Sequence, residues 1–355
     1  MPFTAAEIQD AGKVGLDFYL KNNPIDQVKV ERPLLRRLMQ TKRSFPGAKQ
    51  FVVEQLRITY GSNFQWFYGT QVVTYNRRQS IEQSNFPWRG AHDGFFLDED
   101  RLLQNGISIT DDAKGGANSR AERLMLTNLI EEQSTILRLG FEEKFDFEMH
   151  LDGTQHPEAL AGLDHLISTA PAAGVVGGID RAANPWWRNH AFPGLTLANM
   201  IDTMEQGTRA CSRNGGKPNF MLAGSNFVDQ FRAAAKNDIS RYTVLPVSGA
   251  APMLDPATGT GNLGTVDTGL HWHGIHIMWD PVFADLDAAL APAIPWEDRC
   301  YFLNMQHITL RPAEGHDMVT RKPPRVYDQY VYYWALTWKG ALTINRANCH
   351  AVFSI

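Results

Sequence analysis

The sequence predicts an α+β protein. Three observations carry that class: β texture from Phe51 to about Ile107, one long amphipathic segment from Arg120 to about Glu148, and a mixture of helices and strands after His150. The 355 residues suit two or three domains or one elaborate domain. With 43% hydrophobic, 11% aromatic and 20% charged residues the chain is that of a folded protein, not of a disordered or collagen-like one. No internal repeat occurs.

The first fifty residues are locally basic. Between Lys21 and Gln50 eight basic residues face two acids, a net of +6, although the whole chain carries only −4. Pro24, Pro33 and Pro46 break this stretch, so it reads as an extended arm with one short helix around Leu34 to Met39. It serves either as a solvated surface or as a contact for an acidic partner.

Next, Val52, Glu54, Leu56 and Ile58 alternate with Phe51, Val53, Gln55 and Arg57, and Gly61-Ser62-Asn63 marks a turn before the aromatic run FQWFYGTQVVTY. This is hairpin material. The polar stretch from Asn76 to Gly94 reads as a long loop tipped by Phe86, Trp88 and Arg89, an aromatic and arginine set suited to a partner contact.

Asp111 to Ser119 is a breaker and cap, and the residues from Arg120 to about Glu148 contain no proline and only Gly140 as an interruption. Leu126, Leu129, Ile130, Ile136, Leu137, Phe141 and Phe145 recur at helical spacing, so one long helix is expected. Helices are further expected over Leu195 to Arg213 and Ser225 to Lys236. Strands are expected over Asn219 to Ala223, Gly274 to Met278, Cys300 to Asn304, Tyr330 to Lys339 and Ala341 to Asn345. Leu245 to Thr268, rich in Gly, Pro, Ala and Thr, reads as a long irregular surface loop.

Motifs exclude more than they assign. Gly259 to Gly264 matches the dinucleotide pattern by letter, but no strand precedes it and no helix follows to receive a pyrophosphate, so a loop is preferred. His271 and His273 would share one face of a strand with His276 on the other, which favours packed or surface histidines over a metal site. His150, Asp152, His156 and Glu158 lie around a Gly153 and Pro157 turn, where such residues serve as caps.

No hydrolase elbow, phosphate loop or metalloprotease helix is present, so no catalytic residue, cofactor or metal ligand is assigned. Cys211, Cys300 and Cys349 are far apart in sequence and form no Cys-x-x-Cys pair, which suits a reducing compartment. The amino terminus lacks the pattern of a secretory signal, and no apolar run reaches membrane-spanning length.

The segment GVVGGIDRAANPWWRNH, Gly174 to His190, resembles the opening of the axial domain in one group of tailed-bacteriophage major capsid proteins. The C-terminal YVYYWALTWKGALTINRANCHAVF resembles their closing strands, and the order of elements agrees along nearly the whole chain. The resemblance implies the Hong Kong 97 type of shell fold: an N-terminal arm (1–50), an extended β-loop (51–107), a peripheral domain with a spine helix (108–152 and 325–355) and an axial domain (153–324). Leu245 to Thr268 becomes an axial loop.

It further implies a structural protein without catalysis, found in the virion and assembled in the host cytoplasm as pentamers and hexamers of itself around double-stranded DNA. The implied partners are a portal, a separate scaffold or none, non-specifically contacted DNA and room for a decoration protein, with no membrane. Candidate inter-subunit contacts are Arg36, Arg37, Phe86, Trp88, Arg89, Trp186, Trp187 and Arg188. No lysine occurs from Gln50 to Ala113, so the lysine to asparagine cross-link of some relatives is not expected. An encapsulin-like compartment shell and, further off, a dinucleotide-binding oxidoreductase are the rival readings.

Overall fold

A computed structural model describes residues 30–47, 49–78, 80–104, 120–213, 215–237, 267–323 and 331–355; of residues 101, 120–128 and 267 it describes the backbone alone. The first part of the expected arm, the 111–119 breaker and the Gly259 to Gly264 motif lie outside the described residues.

In chain order the elements are α1 (Pro33–Gln40), β1 (Phe51–Arg57), β2 (Ile81–Pro87), β3 (Arg89–Asp98), α2 (Glu99–Gln104), α3 (Arg120–His150), α4 (Leu163–Leu166), β4 (Val175–Val176), β5 (Ile179–Asp180) and β6 (His190–Phe192). There follow α5 (Met200–Ser212), β7 (Phe220–Ala223), α6 (Ser225–Asn237), β8 (Asp267–Trp272), β9 (Ile275–Trp279), α7 (Val282–Leu290), β10 (Arg299–Leu303), β11 (Ile308–Pro312), β12 (Val319–Arg321), β13 (Val331–Ile344) and β14 (Ala351–Ser354). The class is α+β, as the sequence predicts.

The residues fall into two units, one built from Gly90–Phe145 and Gly315–Trp338, the other from Val30–Arg89, Asp146–Glu314 and Lys339–Ile355. In the second unit a mixed sheet runs in the order β6-β14-β10-β7-β9-β8. β6 is parallel to β14 and β7 to β9, and the other neighbours are antiparallel. Its β7, β10 and β14 strands are buried along their whole length, which is why they are continuous apolar runs rather than alternating ones.

The main core lies between this sheet and the helices α5 and α6. Met200, Met204 and Cys211 of α5 and Phe227, Val228 and Phe231 of α6 pack with Met221, Phe302 and Phe353 of the sheet. The α1 helix begins with Pro33 in its first turn, where the missing N–H costs nothing, and buries Leu34, Leu35 and Leu38.

In the first unit, Leu97 and Leu102 form a smaller cluster with Phe95, Leu129, Ile130, Tyr332 and Trp334, and the Phe95 and Trp334 rings stack 5.4 Å apart. Phe141 and Phe145 of α3 are buried one turn apart, and Phe145 packs on Trp338 at 4.7 Å. At 1.5 Å per residue, α3 with its 31 residues is about 46 Å long.

Three expectations need correction. Asn76 to Gly94 is not a loop throughout, because Ile81–Pro87 pairs with β1 along its full length and β3 follows directly. Within the expected Tyr330 to Asn345 region the described residues Val331–Ile344 form one strand, not two: Gly340 stays in the ladder opposite Pro312. His271 and His276 are not on opposite faces of one strand, because the chain reverses between them.

Candidate functional site

The antiparallel pair β1 and β2 projects a long excursion. Val52 and Leu56 on β1 and Ser84 and Phe86 on β2 share the buried face, while the described residues between the strands, 58–78 and 80, carry no regular secondary structure. Side chains hold the excursion together. The Asn63 and Gln65 amides donate to the Thr74 carbonyl, and Tyr68 N–H donates to Gln71 Oε1 at 3.1 Å.

Its aromatic residues face outward. Trp66 is 89% exposed, Tyr68 87% and Tyr75 90%, and Tyr60, Phe64, Phe67 and Val72 are also mostly open to solvent. Soluble chains seldom leave so dense an apolar group uncovered unless a partner covers it. The aromatic run FQWFYGTQVVTY was visible in the sequence, but it signalled strand pairing rather than an open tip.

The predicted contact residues take different positions. Arg36 and Arg37 lie on α1; Arg36 pairs with Glu31 at 2.8 Å and Arg37 donates to Gln40 Oε1 at 3.0 Å. Phe86 is buried on β2. Trp88 is partly open, and its Nε1–H donates to the Lys49 carbonyl at 3.1 Å. Arg89 forms an ion pair with Glu158 at 2.6 Å. Phe86, Trp88 and Arg89 lie at the base of the β1 and β2 pair, and the open tip belongs to residues 58–78.

Trp186, Trp187 and Arg188 belong to one tight turn. Trp187 is buried and its Nε1–H donates to the Val176 carbonyl at 3.0 Å, while Trp186 donates to Asn184 at 3.2 Å and remains half-buried. Arg188 donates to the Arg181 and Ala182 carbonyls, both at 2.6 Å. Val176 precedes Gly177, whose carbonyl accepts from Asn85 N–H at 2.8 Å. A Cβ at Gly177 would lie 2.8 Å from the Ser84 Cβ, and its φ of +60° suits glycine. The turn from Val176 to Gly177 thus joins the strand bearing Phe86 to the Trp187 indole.

A buried charged cluster lies elsewhere in the same unit. His150 Nδ1–H donates to the Asp146 carbonyl at 2.8 Å and Nε2–H to Asp280 Oδ2 at 3.0 Å. Leu35 N–H donates to Asp146 Oδ1 and Val282 N–H to Asp280 Oδ1, both at 3.1 Å. Burial pushes the His150 pKa down, but the Asp280 and Asp146 carboxylates outweigh it and hold it at about 9. Burial raises the Asp146 pKa to about 7, with His150 opposing and Asp280 reinforcing.

The three side chains could offer ligand atoms within 4.8 Å of one another, yet with both imidazole nitrogens donating they form a charged clamp. It joins the start of α1, the end of α3 and the start of α7. The expected cap role for His150 is therefore corrected: its ring bonds a carboxylate 130 positions away.

Burial also pushes the thiols of Cys211 and Cys349 up to about 12, the setting of inert cysteines rather than nucleophiles. Among the described residues no helix is long and apolar enough to cross a membrane.

No protein-family model matches the sequence, and no curated protein matches it. Solved structures do. A chain of the cyanophage A-1(L) capsid asymmetric unit superposes with a TM-score of 0.58 at 16% identity, over 94% of this chain and 96% of that one. The capsid of an empty GTA particle gives 0.52 at 10% identity over 100% and 99%. The capsid of Myoviridae phage XM1 gives 0.50 at 11% over 94% and 95%. The chain has the α+β fold of these capsid proteins.

Proposed function

We propose that this chain is the major subunit of the icosahedral head shell that encloses the double-stranded DNA of a tailed phage. One observation carries the proposal: the likeness to capsid chains spans nearly the full length of both partners, 94% and 96% for cyanophage A-1(L). Such coverage leaves little of either chain for a separate catalytic domain, which supports a structural rather than an enzymatic role.

In this reading the fold is of the Hong Kong 97 type. Residues 1–50 form the arm, 51–107 the extended loop, 108–152 and 325–355 the peripheral domain with α3 as spine, and 153–324 the axial domain. The subunit associates with further copies as pentamers and hexamers, in the host cytoplasm first and then in the virion. A portal, a scaffold and packaged DNA are its further partners.

The open aromatic group at 58–78 supports self-association, because a neighbouring copy would remove it from water at about 25 cal/mol per Å² of apolar surface. Trp88, Arg89 and Trp186 at its base and in the adjoining turn are proposed as secondary contacts.

Sedimentation velocity of the purified chain, expressed with and without the other head proteins of its source, tests the proposal. Fast-sedimenting closed particles are expected. A monomer or small oligomer under every condition, with nucleotide bound, would replace the shell reading by the oxidoreductase one.

A further inference from the structure

The strands β8 and β9 form a hairpin at the edge of the six-stranded sheet, and the chain reverses at His273 and Gly274. Both residues have positive φ, 48° and 81°, the signature of a two-residue turn whose twist matches its strands. Trp272 and Ile275 close the turn, and His271 stands directly opposite His276. Paired residues in an antiparallel ladder alternate between hydrogen-bonded and non-hydrogen-bonded types. One step out from the closing pair, His271 and His276 form a non-hydrogen-bonded pair, where side chains approach closest.

The two imidazoles use that proximity. Their Nε2 atoms are 3.2 Å apart and their ring centroids 4.0 Å apart, with the rings inclined by 56°. Two nitrogen ligands about 2.0 to 2.1 Å from one metal ion, at the angles of tetrahedral to octahedral coordination, lie roughly 2.8 to 3.4 Å from each other. The observed separation falls inside that interval.

Beside the hairpin lies a cavity of about 520 Å³ whose lining includes His276, Lys217, Asn219, Asn304 and Gln306. On its His276 side the pair therefore has room for waters that would complete a coordination sphere.

We propose that His271 and His276 form a two-nitrogen binding site for a transition-metal dication of the zinc, nickel or copper class. Imidazole nitrogen selects these ions over magnesium and calcium, which take oxygen ligands. Binding needs both Nε2 lone pairs, so the ring that now donates its Nε2 proton to the other carries that proton on Nδ1 instead, and no net proton is exchanged. His273 is not a ligand: its Nε2 lies 2.8 Å from Glu205 Oε1 on α5.

Isothermal titration of the full-length, untagged, chelator-treated chain with zinc chloride, nickel chloride and magnesium chloride tests the site. One equivalent of zinc or nickel per chain is expected, retained in His273→Ala and lost in His271→Ala and in His276→Gln, with magnesium silent. His276→Gln keeps a polar side chain on the hairpin, and a far-ultraviolet circular dichroism spectrum matching wild type separates ligand loss from unfolding. Absence of zinc and nickel binding by wild type, or unchanged binding by a folded His276→Gln chain, would overturn the proposal.

Discussion

His150 is the residue on which the second unit's buried charge turns. It is fully enclosed, held between Asp146 and Asp280, with the Phe283 and Trp296 rings edge-on at 5.5 and 6.0 Å. Removing one member of such a group strands the others without water, so Asp280→Ala is expected to lower stability by about 3 to 5 kcal/mol, read from chemical denaturation. The charge state also sets a pH dependence. His150 has a folded pKa of about 9 against an ordinary 6.5, so its stabilisation is complete below 6.5 and is lost as pH rises through 9. Asp146, at about 7 against 3.8, acts in the same direction: the folded state keeps a proton that the unfolded chain releases, and stability falls as pH rises from about 4 to 7. His350 acts in the opposite sense. Burial depresses its pKa to about 3, so its contribution is lost as pH falls below 6.5. The melting temperature is therefore expected to drop between pH 6.5 and 9, with a shallower slope in Asp280→Asn; a wild-type rise over that interval would contradict the assignment. None of this was legible in the sequence. HLDGTQHPE suggests a cap because its neighbours are turn formers, and nothing local announces an aspartate 130 residues on.

The hairpin shows how an element can be half legible. The period-two alternation from Phe51 to Arg57 identifies β1, because one face is buried and the other open. Its partner Ile81–Pro87 is polar and ends in proline. That pair forms a two-stranded sheet in which β2 buries only Ser84 and Phe86, so burial leaves little periodic trace. The His271 and His276 pairing was missed for a related reason, since the His273 and Gly274 reversal lacks the Asn-Gly or Asp-Gly signature of a two-residue turn. At the tip, Trp66, Phe67 and Tyr68 touch solvent more than protein. The triple change Trp66→Ser, Phe67→Ser, Tyr68→Ser is expected to leave the melting temperature of the unassembled chain within a few degrees of wild type while particle yield in a sucrose gradient collapses. A normal yield would remove the loop from the contact set. Trp88→Ala is expected to reduce yield less, because its indole already bonds the Lys49 carbonyl within its own chain. Trp187→Ala should instead unfold the turn, since that ring is buried and holds the Val176 carbonyl.

For the molecule as a whole, the order of elements was the most legible level: arm helix, hairpin, long helix, mixed sheet and closing strands follow the sequence reading. That order persists at 16% identity to a capsid chain because a fold constrains burial pattern and turn positions more than residue identity. Charge follows the same logic. In the proposed shell, a net of −4 with a local +6 before residue 51 would suit a subunit that encloses DNA without gripping it base by base. On the shell reading, the absence of lysine from Gln50 to Ala113 leaves the proposed extended loop without an amine for a covalent bond to a neighbour. Particles boiled in detergent should therefore run as a single band near the 39.9 kDa of the monomer, and a ladder of multiples would show a cross-link of another kind. The most direct test of the central claim is electron cryomicroscopy of the purified particles together with their ratio of absorbance at 260 and 280 nm. The shell reading predicts closed icosahedral heads whose wall is this chain and whose absorbance is dominated by DNA; protein-filled compartments, or no closed particles at all, would contradict it.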